Sequence, residues 1–369
     1  MTHPGGPHQS PPPGPGWGGG WAPPPPPPPK PGVIPLRPLD VGDVLGGTFA
    51  AFGRHWKPLV GVAAVVHAAA LLLVGGAAAL AFWGNVDTFD ALERADRNGT
   101  AVASHVTSLA VSFGLVAVLG AVCLLFATAT TQAASAVALQ EAVLGRPTTF
   151  RAVWRRAVRR VPAVAGALLL PALAAAVLTV LLMIGYVGLM MAVVEDVGGD
   201  AANWLAAVGL LGGLLLVPVV VWLWVRFAFA PAVAVFESAG AMQALRRSAR
   251  LVRGSWWRIF GISLLVYAMA WMASWLIQIP FSLLGMFSLV PSMAVAPDTG
   301  EEMSLVQMVL AVGGYVLIVL VGSFVSQIVV IFFPQLATGL LYVDQRIRRE
   351  HLAPALAEAA YGPPPPPRH

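Results

Sequence analysis

Three times in this chain a short arginine-bearing amphipathic segment runs directly into a pair of long apolar segments, with starts near residues 40, 148 and 241. The apolar runs match the roughly 20 residues that cross a bilayer hydrocarbon core. In lipid, every backbone N–H and C=O must be paired internally, which leaves helices or a closed barrel. Runs without two-residue alternation select the helix. The predicted class is all-α, with six transmembrane helices over residues 58–83, 106–131, 163–192, 204–225, 259–285 and 308–333. They form three parallel hairpin repeats of about 40–140, 141–240 and 241–345, each preceded by a cytoplasmic amphipathic helix. Charged residues make up 11% of the chain, against about 25% in soluble domains, which removes a soluble alternative.

The basic residues set the orientation. Of the 22 Lys and Arg residues, only Arg94 and Arg97 fall in the loops at 84–105, 195–203 and 286–307, and Arg226 sits at a span end. All the others lie in the tails and in the stretches that join one hairpin to the next. The positive-inside rule then places both termini and the arginine segments in the cytoplasm. Acidic residues such as Asp87, Glu195 and Glu301 gather in the opposite loops. The first 29 residues hold no Lys or Arg and no apolar core, so the first span is expected to serve as its own insertion signal.

Residues 1–38 read as a disordered Pro/Gly-rich cytoplasmic tail, with Pro23 to Pro29 unbroken, and residues 346–369 as a second tail closing with Pro363 to Pro367. Such tracts favour a solvated polyproline helix, the form that aromatic-lined grooves of cytoplasmic protein partners bind. Between them, residues 39–345 form the membrane domain. The single cysteine, Cys123, offers no internal disulfide and no thiolate cluster.

In the second amphipathic segment Phe150, Val153, Trp154, Ala157, Val158 and Val161 recur at helical spacing, with Arg151, Arg155, Arg156, Arg159 and Arg160 on the other face. Thr149 is a candidate cap. The third sets Met242, Leu245, Ala249, Val252 and Trp256 against Arg246, Arg247, Arg250 and Arg253. In the first, Asp40 and Asp43 stand where a capping box belongs, ahead of Leu45, Phe49, Phe52 and Trp56. A basic amphipathic helix beside a span is expected to lie in the interface, apolar face in the acyl boundary and guanidinium groups among anionic phospholipid headgroups. The bilayer is thus the expected partner of these arginines, and nucleic acid is not. The plainer reading, that the arginines only set topology, stays open beside it.

Register comparison supports a repeat. A shift of 200 pairs Leu45 with Leu245, Thr48 with Ser248 and Trp56 with Trp256, and a shift of 105 pairs Leu59 with Val164 and Gly61 with Gly166. Polar residues within the spans are few. Arg226 lies 22 positions after Trp204, roughly 33 Å at 1.5 Å per residue, and so reaches the headgroups. With Gln278 and Gln327 it makes a candidate intramembrane polar site, and His67 is the other deep polar residue. Pro171, Pro218, Pro231, Pro280 and Pro334 break or kink spans and leave room for a cavity. No catalytic motif is found: the sequence holds no HExxH, GxSxG or GxxxxGK[ST] pattern, and its seven histidines are scattered. No metal site, cofactor or catalytic residue is expected.

The stretch Phe227 to Ile262 contains an acidic Glu237, then Ala244-Leu245-Arg246-Arg247-Ser248 and Arg250-Leu251-Val252-Arg253-Gly254. It resembles the membrane-domain family named after bacterial glycerophosphoryl diester phosphodiesterases. The opening from Pro31 to Leu39 after a proline-rich tail is similar to stand-alone actinobacterial members. The resemblance covers about residues 31 to 350 and implies an all-helical protein of the bacterial plasma (inner) membrane. The catalytic barrel of the founding members has no counterpart after Arg349, so the diesterase activity is not implied. The function read from these features is a non-catalytic, lipid-interacting scaffold or accessory subunit of the cell envelope. The alternative is a transporter or channel for a lipidic or small amphipathic solute.

Overall fold

The computed structural model describes residues 32–35, 37–89, 91, 103–193, 199–294, 305–350, 354 and 358. The acidic loop residues Glu195, Glu301 and Glu302, and most of both proline-rich tails, lie outside them. Among the described residues there is no strand. The helices are α1 (Val41–Gly84), α2 (Ala103–Val143), α3 (Phe150–Val158), α4 (Val161–Val193), α5 (Gly199–Phe227), α6 (Ala230–Phe236), α7 (Ala241–Val252), α8 (Trp256–Ala294) and α9 (Leu305–Glu350). Six segments are long and apolar enough to cross a membrane, one each in α1, α2, α4, α8 and α9 and one running through α5 and α6. The chain is a multi-pass membrane protein.

Local chemistry sets the helix ends. Asp40 caps α1 by accepting from the Asp43 N–H at 2.7 Å, and Asp43 accepts in return from the Asp40 N–H at 3.3 Å, the capping box that the sequence predicts. The first amphipathic segment is not a separate helix. It continues into the span through a kink at His55, whose φ and ψ are −122° and 17°. Pro58 lies three residues on, where its ring crowds the carbonyl four residues back and its nitrogen donates nothing. The second and third amphipathic segments are free-standing as α3 and α7. Thr149 caps α3 by accepting from the Ala152 N–H, and Gly254, at φ +84°, turns the chain sharply from α7 into α8.

Three antiparallel pairs, α1 with α2, α4 with α5, and α8 with α9, make the most extensive packing in the molecule. The arms of the second pair meet backbone to backbone: a Cβ on Gly209 would fall 2.1 Å from the Gly185 nitrogen. The pairs hardly touch one another along their apolar windows, of which at most 28% is buried. Leu72, Leu80, Leu215, Trp271 and Phe287 are more than half exposed, as lipid-facing residues are. The buried core sits instead at the end that carries the arginines, hereafter the basic end. It is built from the first half of α1 (Val44 to Ala63), the last turns of α2 (Ala129 to Val143), α3, the start of α4, α6, α7, the start of α8 and the last turns of α9 (Phe332 to Ile347).

Each later repeat opens by packing on the hairpin before it. Phe150 of α3 lies over Gly61, and Ala241 of α7 over Gly166, the two glycines paired by the repeat register. Thr48 and Ser248, also register partners, are both fully buried. Hairpin three closes on hairpin one, with Phe49 and Phe333 edge to face at 4.5 Å and Phe52 near Phe332.

Two boundaries fall elsewhere than expected. Residues 32–35, read as tail, make with Leu39 a strap laid along the core: the Val33 N–H donates to the Ala142 carbonyl, and Ile34 and Leu39 are fully buried. At the other terminus α9 continues past Pro334 and past the expected boundary at 346, ending at Glu350. One correction concerns what the amphipathic faces meet. Val153 and Ala157 of α3, and Leu245 and Val252 of α7, are buried against protein, whereas Phe150, Val158 and Met242 of the same predicted faces are exposed. Helical periodicity reports that a face is apolar, and either medium satisfies it.

Candidate functional site

The basic end sorts its arginines into two sets. Three of the nine interfacial candidates are engaged within the protein. Arg156 pairs with Glu141 and donates to Gln140 at 3.2 Å. Arg160 donates to the backbone and hydroxyl oxygens of Ser238, which sits at φ +54° between α6 and α7. Arg247 donates through Nε to both oxygens of Glu237 at 3.2 Å and through Nη2 to Glu350. The other six, Arg151, Arg155 and Arg159 on α3 and Arg246, Arg250 and Arg253 on α7, are exposed. Among the described residues no carboxylate pairs with any of them.

Of these three, Arg247 belongs to one of two carboxylate networks that tie α9 to the rest. In one, Glu237 accepts from Arg247 and from the Tyr342 hydroxyl at 2.9 Å, while Glu350 accepts from Arg247 and from Arg346 Nε at 2.9 Å. Burial pushes the Glu350 carboxyl up, but the hydrogen bonds and charges of Arg346 and Arg247 outweigh it and hold the group below its ordinary value. The same acids raise Arg247, against the opposing effect of its burial. In the second network the fully buried Asp344 accepts from Arg258 Nη1 at 2.6 Å, from Arg348 Nε at 2.9 Å and from the Leu39 N–H at 2.8 Å. Both arginines also donate to the Leu39 carbonyl, so a single residue of the strap is gripped at both backbone groups.

Arg226, Gln278 and Gln327 are not brought together. The Gln278 amide donates to the Val319 carbonyl at 3.5 Å. Gln327 lies eight residues further along α9, about 12 Å on at 1.5 Å per residue, and is exposed. His67 bonds the Ala63 carbonyl one turn back at 2.9 Å. Arg226 faces α7 instead, its guanidinium 4.7 Å above the Trp222 ring. Ser248 fixes that arrangement by donating to the Arg226 carbonyl at 3.0 Å and accepting from the Phe229 N–H at 3.2 Å, which pins the break between α5 and α6 onto α7. The result is an open groove of about 800 Å³ lined by Arg226, Arg246, Ala249, Arg250 and Arg253.

A second, smaller feature lies where the three hairpins converge. A cavity of about 90 Å³ is lined by Gln132, Tyr267, Gln335 and Thr338 among apolar neighbours, with Pro171 and Pro231 in its wall. Two of the span-breaking prolines thus border a cavity, as expected of them. Gln335 is held by the Ser135 hydroxyl, which donates to its side-chain oxygen at 2.8 Å. Sequence reading did not single out Gln132, Gln335, Tyr267 or Asp344. Asp344 and Arg348 at a helical spacing of four were a legible pair, but the apparent tail boundary concealed them.

The family model described as a domain of unknown function, DUF7847, matches residues 40–336, and the chain belongs to that family. Neither a curated protein nor a solved structure matches it.

Proposed function

We propose that this family member is a non-catalytic membrane scaffold or accessory subunit of the bacterial cell envelope. Its basic end lies at the cytoplasmic face of the plasma membrane and engages anionic phospholipid there. The observation that carries this reading is the outward row of six arginines without carboxylate partners among the described residues, on two helices that bury part of their apolar faces in the protein and leave Phe150, Val158 and Met242 exposed beside the charges. Arginines that serve packing here are held by protein acceptors, as Arg156, Arg160 and Arg247 are. Guanidinium groups beside an anionic leaflet contribute about 1 kcal/mol each. The proline-rich tails fit the recruitment of a cytoplasmic partner.

The test places the purified chain in zwitterionic nanodiscs doped with spin-labelled phosphatidylglycerol or spin-labelled phosphatidylcholine. The anionic label is expected to be immobilised in excess, and a variant with Arg151, Arg155, Arg159, Arg246, Arg250 and Arg253 changed to Gln is expected to lose that excess. Equal immobilisation of the two labels overturns the lipid role. Protein-dependent release of an amphipathic solute trapped in vesicles would move the reading to a carrier.

A further inference from the structure

The free arginines of α3 and α7 differ in what surrounds them. Arg151, Arg155 and Arg159 stand along one exposed helix face. Arg246, Arg250 and Arg253 are joined by Arg226, from a different helix, around a single groove that no Asp or Glu lines. That groove runs on, through Arg226, Ala249 and Arg253, into a second space of about 380 Å³ walled by Trp222, Trp256 and Trp257. Trp222 and Trp257 are 45% and 78% exposed, at the end of the α5 span and the start of the α8 span. The Trp256 indole N–H in this wall is buried without a hydrogen-bond partner. A buried donor is ordinarily paired, and this one is not.

Four guanidinium groups converging without a counter-charge repel one another, and a single phosphodiester offsets only one of them. A phosphomonoester carries about −1.5 to −2 charges at neutral pH, and guanidinium forks bind phosphate oxygens in pairs. The tryptophan wall adds a non-polar, interface-seeking surface beside the charges, which a free soluble anion would not use. We infer that this groove is a discrete site for a membrane lipid whose headgroup carries more than one negative charge, as a phosphomonoester or as two phosphodiesters. Its phosphates lie on Arg226, Arg246, Arg250 and Arg253, and its glycerol backbone lies against Trp222 and Trp257. The site deepens the lipid-engaging reading above and rests on it.

The experiment uses the full chain in nanodiscs containing phosphatidylglycerol, phosphatidic acid or cardiolipin at equal total anionic charge, with retained lipids counted by native mass spectrometry. Phosphatidic acid or cardiolipin is expected to be retained about tenfold or more over phosphatidylglycerol, the margin that one or two further paired charges give at the surface. The variant R246Q/R250Q/R253Q is expected to lose about a hundredfold in retention, from three such charges, and the charge-matched R151Q/R155Q/R159Q to keep the preference. Arg226→Lys preserves charge but not the planar stack on Trp222, and is expected to weaken retention several-fold while the thermal midpoint stays unchanged.

Equal loss from both triple variants, or no preference for the multiply charged headgroups, overturns the discrete site while leaving anionic-lipid engagement standing. Absence of any anionic retention overturns both. Competition by inorganic phosphate as effective as that by lipid would make the groove a soluble-anion site and overturn the lipid assignment.

Discussion

Removing the carboxylate of Asp344 gives the sharpest test of how the basic end is held together. The side chain is fully buried and takes three donors, from Arg258, Arg348 and the Leu39 N–H. Charge-assisted hydrogen bonds contribute about 1.5–3 kcal/mol each, and breaking a fully buried ion pair costs about 3–5 kcal/mol. Here the arginine side chains are 33% and 38% exposed, so water reaches them once the acid is gone and the cost falls to the low end. The expected loss for Asp344→Ala is about 3 kcal/mol. For Asp344→Asn, whose amide oxygen still accepts from Leu39, it is about 2 kcal/mol.

At roughly 2 °C per kcal/mol for a chain of this size, the alanine variant should melt about 6 °C lower by intrinsic tryptophan fluorescence in detergent. Hydrogen exchange localises the effect. The Leu39 amide should lose protection by about a hundredfold, since 1.4 kcal/mol is a factor of ten, while amides in the α4–α5 hairpin stay as they were. An unchanged midpoint with Leu39 still protected would refute the clamp.

Two further outcomes follow from the packing and the charges. A Cβ on Gly209 would lie 2.1 Å from the Gly185 nitrogen, whereas one on Gly212 would meet only Leu181 methyls at 3.8 Å. Gly209→Ala should therefore destabilise by about 1–3 kcal/mol and Gly212→Ala by less than about 0.5 kcal/mol, and equal midpoints would contradict the backbone contact between α4 and α5. The Glu350 carboxyl is held below its ordinary value, so its contribution is full above about pH 4.5 and is lost as pH falls through the depressed folded value. The gap in melting temperature between wild type and Glu350→Gln should then be level at neutral pH and close on acidification, and a gap that widens in acid would reverse the sign.

Much of the architecture is legible without coordinates because a bilayer constrains a chain so severely. Runs such as 163–192 have one stable form in hydrocarbon, and the spacing of the arginine segments exposes the hairpin repeat. The capping pair Asp40 and Asp43, and the buried register partners Thr48 and Ser248, follow from local chemistry and from the repeat in turn. Periodicity also marks the apolar faces of α3 and α7. It does not say what covers them, and protein does so here because the hairpins meet at that end alone.

What only the tertiary structure decides is pairing over long separations. Asp344 and Leu39 are 305 residues apart, and nothing in either neighbourhood names the other. The same holds for Arg226: its own helix suggests a partner at membrane depth, and the turn at Phe229, held by Ser248, delivers it to α7. The sequence alone thus determines that six helices are long and apolar enough to cross a membrane and where the positive charge gathers, since each depends on the medium or on neighbours within a few turns. Which arginines neutralise acids and which stay exposed depends on how three hairpins converge, and that geometry is encoded in no single segment.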